Sequence, residues 1–322
     1  MNVLITGGAG FIGSNLADRL IQRGDKVYII DDLSTGSDKN VNGEATFLNA
    51  SIEDFDACKK FFNDSKPDIV IHAAASYKDQ TDWRKDSLVN VLGTTNVLKC
   101  SLEQNIKRFI YFQTSLCYGH HPKEHPITLS HPIEPDNSYS ISKTAAEQYI
   151  EMSGLDFISF RLANVYGPRN LSGPVPTFFH RLTNKEECFI SDARRDFVYI
   201  DDLLDIVVMA MDGVGDSGTY HISSGKDSAI EDVFNHVVGA MGLDFGTNDK
   251  PSKMFGRFWD DVKTLLIDPS KTLEVFGRIP STPLDDGICK AIEWYSENGV
   301  VETYTHLSAD ELKVRADEYS KE

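Results

Sequence analysis

The segment Val3-Leu4-Ile5-Thr6-Gly7-Gly8-Ala9-Gly10-Phe11-Ile12-Gly13 constrains this chain more than any other. Its short, apolar, β-branched start has the character of a buried parallel strand, and Leu16 and Leu20 continue it as an amphipathic helix. Between them Gly7, Gly10 and Gly13 recur every three residues. A strand, a glycine turn and a helix in that order permit a tight turn, close helix–strand packing and approach of backbone N–H groups to a pyrophosphate. A second strand, Lys26-Val27-Tyr28-Ile29-Ile30, ends at Asp31 and Asp32. An acidic residue roughly twenty positions after the glycines is placed to accept hydrogen bonds from an adenosine ribose and to repel a 2′-phosphate. The expected dinucleotide is therefore NAD(H) rather than NADP(H).

Strand and helix patterns then alternate. A strand near Thr46-Phe47-Leu48 precedes a helix near 54–64, and Asp68-Ile69-Val70-Ile71 precedes a long helix near 83–104. The strand Arg108-Phe109-Ile110-Tyr111-Phe112, a helix after Asn137 and the strand Phe157-Ile158-Ser159-Phe160 follow. Strands separated by helices predict an α/β fold with a doubly wound parallel sheet of Rossmann type, its ligands at the carboxyl ends of the strands. From about residue 168 the pattern is less regular, with Gly173-Pro174-Val175-Pro176 and shorter elements. This predicts a smaller α/β C-terminal substrate-binding domain. The expected division is a dinucleotide-binding domain over 1–167 with later segments near 195–223 interleaved, a substrate portion over 168–300, and a charged helical tail over 301–322.

Composition narrows the function. A chain of 322 residues with 41% hydrophobic content can bury one large core or two moderate ones. A net charge of −17 argues against nucleic acid and anionic membranes as partners, so any bound phosphate must be met by local arginines. Cys58, Cys100, Cys117, Cys188 and Cys289 are scattered without C-x-x-C or Cys/His metal spacing, which predicts reduced thiols in a cytoplasmic protein. The opening strand lacks the pattern of a secretory leader, and no apolar stretch has the length of a membrane span. His120, His121, His125 and His131 gather among prolines without helical metal spacing, so no metal is expected there.

In Asn137-Ser138-Tyr139-Ser140-Ile141-Ser142-Lys143, Tyr139 and Lys143 stand four apart at the start of a helical pattern and share its face. A Lys beneath a Tyr favours the phenolate, making it a usable base near neutral pH. Alone, the pair reads more readily as a solvated helix face than as a catalytic one. A dinucleotide site at the N-terminus gives it a use.

Taken in order, these segments resemble the extended short-chain dehydrogenase/reductases, specifically the NAD-dependent nucleotide-sugar epimerase/dehydratase group with its UDP-galactose 4-epimerase-like members. The resemblance runs from Met1 to about residue 300 and includes His72-Ala73-Ala74-Ala75, Asn90-Val91-Leu92-Gly93-Thr94, Asn164-Val165-Tyr166-Gly167-Pro168-Arg169 and Arg195-Asp196-Phe197-Val198-Tyr199. It implies NAD contacts from Gly7, Gly10, Phe11, Ile12 and Gly13, and from Asp31, Asp32, Ser34, Thr35 and Gly36. Further NAD contacts are implied from Ser51 and Ile52, where the family usually has an acidic residue first, from Ala73, Ala74, Ala75 and Asn90, and from Tyr139 and Lys143. Tyr139 is then the base, Lys143 its modulator and ribose ligand, and Thr114 the hydroxyl four residues before the Tyr of Tyr118-Gly119, with Ser115 beside it as the fallback. Substrate contacts are implied from Ser115, Asn164, Arg195 and Tyr77, and from Arg257 and Asp260, an Arg-x-x-Asp pair for phosphate and ribose. No large aromatic occurs in Lys263-Thr264-Leu265, which leaves room for an N-acetylated sugar.

The same resemblance implies the reaction. Relatives that dehydrate hexoses carry Thr-Asp-Glu where this chain has Thr114-Ser115-Leu116, and Leu116 cannot abstract a proton. The expected activity is NAD-dependent C4 epimerisation of a UDP-sugar, with a dehydratase-like C4 oxidation or a non-catalytic NAD-binding scaffold as alternatives. A homodimer through the helices near 83–104 and 138–153 is implied as well.

Overall fold

Val3, Leu4 and Ile5 face alternately to the two sides of a strand, and all three are wholly buried. Burial on both faces is the mark of a central parallel strand covered by helices on each side. The computed structural model describes residues 1–79, 81–244 and 263–304. Its first half runs β1 (Asn2–Thr6), α1 (Phe11–Gln22), β2 (Lys26–Asp31), β3 (Thr46–Asn49), α2 (Phe55–Ser65), β4 (Ile69–His72), α3 (Trp83–Asp86), α4 (Thr94–Gln104), β5 (Arg108–Thr114), α5 (Ser138–Met152) and β6 (Phe157–Leu162). The remainder runs β7 (Asn164–Tyr166), α6 (Pro174–Thr183), β8 (Arg194–Arg195), β9 (Phe197–Tyr199), α7 (Ile200–Met211), β10 (Gly218–Ile222), β11 (Ser228–Ala229), α8 (Ile230–Ala240), β12 (Thr264–Leu265), α9 (Ser270–Phe276) and α10 (Leu284–Asn298).

Seven strands form one sheet in the order β10-β6-β5-β4-β1-β2-β3, each pair parallel. Val3, Ile5 and Ile71 pack with Leu16 and Leu20 of α1 and Leu203 and Val207 of α7 on one face. Leu4, Val70 and Tyr111 pack with Phe62 of α2, Val97 of α4 and Ala146 of α5 on the other. This is the doubly wound α/β architecture that the alternating pattern predicts. The seventh strand, β10, comes from well beyond residue 168, as the irregular second half returns to complete the sheet. β8, β11 and β12 make a separate small sheet, and β7 pairs with β9.

Strand order reverses between β1 and β4, which opens a crevice at their carboxyl ends. The floor of that crevice is backbone against backbone. A Cβ on Gly7 would lie 2.6 Å from the Ala74 amide nitrogen, and one on Gly13 would lie 2.3 Å from the Gly7 carbonyl oxygen. Gly7 also takes a φ of 69°, a left-handed value that L side chains resist.

The predicted long helix over 83–104 is helical throughout, but Ser87–Gly93 forms a π-helical turn between α3 and α4. Asn90 sits in that wider turn. Its Oδ1 accepts from the Ser76 N–H at 2.8 Å, and its Nδ2 donates to the Ser76 carbonyl at 3.0 Å and to Ser142 Oγ at 2.9 Å. A single amide thereby ties the loop after β4 to α5. π-turns occur where a side chain must reach a partner that a regular helix would miss.

His72, the last residue of β4, is fully buried between Thr6 Oγ1 at 2.6 Å and Thr94 Oγ1 at 2.8 Å. Burial holds its imidazole down to about 3, with the Lys143 ammonium adding to the effect. Because the folded value lies below the ordinary 6.5, the site contributes its full stability above pH 6.5 and loses it as pH falls toward 3. Each such histidine steepens the acid side by at most about 1.4 kcal/mol per pH unit. His221, held at about 4, acts in the same window, so a difference measurement isolates His72. Replacing His72 by Asn should reduce the protons taken up on unfolding near pH 5 by about one, read from the pH slope of urea-unfolding free energies. Identical slopes for the two proteins would show that His72 is charged in the fold.

Candidate active site

The crevice widens into one cleft of about 1280 Å³ between the sheet and the second half of the chain. A single drug-sized ligand fills a pocket of roughly 300–1,000 Å³, so this cleft has room for two sizeable ligands end to end. Although the chain carries a net −17, Lys78, Lys85, Lys143, Arg169, Arg181 and Arg195 all line it. Cationic side chains gathered into one cleft of an acidic protein favour phosphate-bearing ligands there.

The β1–α1 end is built for a dinucleotide. Gly7, Gly10, Phe11, Ile12 and Gly13 line the cleft where α1 begins, at the end of the helix that attracts anions. Side chains at Gly7 or Gly13 would fill this cradle with atoms already in contact with backbone. Asp31 and Asp32 both line the cleft. Asp31 is buried and accepts from the N–H groups of Ala9 (3.0 Å) and Leu33 (2.8 Å), so it fastens the glycine loop to the end of β2. Burial pushes its carboxyl up, partly offset by those two bonds. Asp32 stands more open at the cleft edge, accepting from Ser34 N–H at 3.0 Å. Ser34, Thr35, Ser51, Ile52, Ala73, Ala74 and Ala75 line the same end. Gly36 does not, but a Cβ there would meet Ala9 at 2.9 Å, so its loop lies flat on the glycine turn. Asn90 is buried beneath the lining and acts through Ser76 and Ser142. Lys85 is an addition that periodicity did not signal: its Nζ is 2.7 Å from Glu53 and 3.9 Å from Asp32.

The middle of the cleft gathers Thr114, Ser115, Leu116, Tyr139 and Lys143. Thr114 ends β5, and its Oγ1 accepts from Leu116 N–H at 3.1 Å, capping the short turn Ser115–Tyr118. Asn137 caps α5 by accepting from Ser140 N–H at 2.9 Å, while Ser140 Oγ donates back to the Asn137 carbonyl at 3.1 Å. This start puts Tyr139 and Lys143 on the cleft side of the helix. The Lys143 carbonyl accepts from Tyr111 Oη at 3.0 Å and Gln113 Nε2 at 3.1 Å, and its Nζ lies 4.0 Å from the Tyr111 ring centroid. Burial pulls the Lys143 ammonium down to about 7, while Glu147 draws it up. Burial also raises the Tyr139 phenol, with Tyr77 and Asp86 adding to the rise. The expected lowering of Tyr139 by Lys143 is thus outweighed, in the protein alone, by the cost of placing a phenolate where water is scarce.

Below α5 lies a closed polar network. Glu147 pairs with Arg161 at 2.8 Å, accepts from Ser159 Oγ at 2.5 Å, and Arg161 donates to Tyr118 Oη at 2.8 Å. Tyr118 Oη in turn lies 2.6 Å from His221 Nε2. A buried pair this well satisfied fixes the helix against β6, and removing either member would leave a buried charge alone.

At the far end, Asn164, Arg195 and Leu265 line the cleft. Asn164 Nδ2 donates to the Asp196 carbonyl at 3.2 Å, and the Arg195 guanidinium reaches the Arg194 carbonyl at 2.8 Å. Tyr77 lines the cleft between the two ends. Arg257 and Asp260 lie outside the described residues. Arg181, stacked at 5.5 Å from the Phe189 ring, is a further cation at this end. Arg181 does not stand out in the sequence, because only the placing of α6 against the cleft brings it there. Of the four loop histidines, His120 pairs with Asp136 at 2.6 Å and His131 Nε2 accepts from Lys123 N–H at 2.9 Å, while His120 and His121 line the cleft.

Known proteins share this fold. The family model described as NAD dependent epimerase/dehydratase family matches residues 3–223. The Bordetella bronchiseptica enzyme WbmH, solved in complex with NAD+, is 46% identical with a TM-score of 0.89, covering 92% of this chain and 99% of that one. WbmG of the same organism, solved with NAD and UDP, is 37% identical with a TM-score of 0.86 over 96% of this chain and 98% of its own. The UDP-glucose 4-epimerase of Thermotoga maritima, solved with UDP-glucose, is 32% identical with a TM-score of 0.85 over 92% and 99%. With the family model spanning most of the sheet and the cleft, this chain belongs to the NAD-dependent epimerase/dehydratase family.

Proposed function

We propose that this protein is an NAD-dependent epimerase that inverts C4 of a UDP-hexose or UDP-N-acetylhexosamine derivative through a transient 4-keto sugar, supplying precursors for polysaccharide or glycan synthesis. The observation that carries the reading is the placing of Thr114, Tyr139 and Lys143 on one cleft wall with Ser115 and Leu116 in the remaining positions. That wall offers a hydroxyl relay and a phenol, but no carboxylate beside Thr114 to act at C5 or O6. WbmG, solved with UDP, and the Thermotoga enzyme, solved with UDP-glucose, support a uridine diphosphate at the Arg195 end. WbmH, solved with NAD+, supports the cofactor at the glycine loop.

NAD, when bound at the glycine loop, would supply a hydride acceptor and donor for C4, and its oxidised ring would supply positive charge to offset the burial of Tyr139. Thr114 Oγ1 bonds the sugar O4 and passes its proton to the Tyr139 phenolate as the C4–H bond breaks. Lys143 holds the nicotinamide ribose and keeps positive charge beneath the phenol. After the ketone turns over, Tyr139 returns the proton to O4 as the opposite face is reduced, so the overall reaction is redox-neutral. Asp32 takes the adenosine ribose, Tyr77 and Ser115 border the sugar, and Asn164 and Arg195 hold the diphosphate. The NAD portion is 1–167 with the strand and helix near 195–223, and 168–300 holds the nucleotide sugar.

The protein is proposed to work as a cytoplasmic homodimer. Ile141, Tyr149 and Met152 form an exposed apolar stripe on α5, at 52%, 43% and 76% exposure, with Leu92 and Leu102 exposed along the neighbouring helix. Two copies packed through these helices would bury it. Among the described residues no helix is long and apolar enough to cross a membrane.

Incubation with UDP-hexoses and separation of the products should yield the 4-epimer without added NAD, and Tyr139→Phe should reduce kcat by about a thousandfold or more. A product lighter by one water, or turnover insensitive to Tyr139→Phe, would contradict the assignment. Light scattering should give the dimer mass for the native chain and the monomer mass for an Ile141→Asp/Met152→Asp variant. A monomer mass for the native chain would rule the helix interface out.

A further inference from the structure

After α10 the chain turns back across the cleft. Tyr304 N–H donates to the Leu171 carbonyl at 2.7 Å and the Tyr304 carbonyl accepts from Gly173 N–H at 3.2 Å, so this residue is laced by its backbone to the substrate side. Its side chain reaches the opposite wall. The ring meets Tyr77 edge-on at 6.4 Å, Lys78 Nζ sits 4.3 Å from the ring centroid, and the same ammonium is 3.3 Å from Tyr304 Oη and 3.4 Å from Glu302. Tyr77, Tyr304 and the 171–173 loop therefore make a bridge across the cleft, and all of them line it.

We propose that Tyr304, seated on Tyr77 and Lys78, is a cofactor-retaining residue that keeps the dinucleotide in the cleft between turnovers. The inference rests on the reading that NAD occupies the glycine-loop end. An enzyme that returns the hydride it has taken gains from a cofactor that does not exchange while the keto sugar is free to turn, since each loss of reduced cofactor strands an oxidised sugar. The bridge crosses the cleft between the glycine loop and the substrate end, so a dinucleotide leaves only if it opens. Its strength lies in the Tyr304 ring and the two backbone bonds. The Lys78–Glu302 pair is open to water on both sides, and exposed pairs of this kind contribute little. A cation held against an aromatic face contributes more.

The test is release of NADH from the full-length protein, followed by fluorescence after dilution into excess NAD+. Tyr304→Ala should speed release by about tenfold or more, Lys78→Ala by a few-fold, and Tyr304→Phe by less than about twofold, because the ring carries the contact. An unchanged thermal midpoint in Tyr304→Ala establishes that the change is local. Release from Tyr304→Ala at the native rate would overturn the inference while leaving the epimerase reading intact. Failure of the native protein to take up NADH at all would overturn that reading itself.

Discussion

Backbone packed directly on backbone at the switch point of the sheet is the constraint from which the rest follows. Gly13 against the Gly7 carbonyl and Gly7 against Ala74 allow α1, the end of β1 and the loop after β4 to converge at distances no side chain permits. That convergence leaves helix N–H groups facing the crevice and brings the loop after β4 close to α5 through Asn90. A larger residue at Gly7 or Gly13 would push these pieces apart, and overpacking of this kind costs about 1–3 kcal/mol or more. The proposed cofactor seat and the proposed chemistry are therefore one packing problem.

The second requirement is a rigid mount for Lys143. Two hydrogen bonds to its carbonyl, the Tyr111 ring under its ammonium and the Glu147–Arg161 pair one turn on fix the helix at the point where it meets the cleft. The same burial draws the Lys143 ammonium down to about 7 and raises the Tyr139 phenol, so the phenol is not poised as a base by the protein alone. A cationic cofactor beside them would reverse that balance. A site idle without its cofactor suits chemistry in which an unpartnered base would be wasted.

Much of this was legible in the sequence because its physics is local. The glycine spacing, the apolar strands and the four-residue step from Tyr139 to Lys143 each act within a few residues, so the sheet, α1 and α5 could be placed by pattern. What escaped depends on contacts made far along the chain. The register of β10 with β6 is set by packing and not by any local signal. The π-turn at Asn90 answers to Ser76 and Ser142, and the place of Lys85 beside Asp32 depends on how α3 docks. Tyr304 reaches Tyr77 across more than two hundred positions, and nothing in its neighbourhood marks it. The roles of Asp31 and Asp32, alike in sequence, separate only when the glycine loop closes onto the first of them.

Isotope retention tests the central chemistry most directly. A UDP-hexose carrying deuterium at C4, converted in ordinary water, should give both epimers with the label still at C4, because the same hydride is removed and returned. Converted in heavy water, the unlabelled sugar should gain no deuterium on carbon. Loss of the C4 label to solvent, or entry of deuterium at C5, would contradict hydride return at C4 and place the reaction elsewhere on the ring.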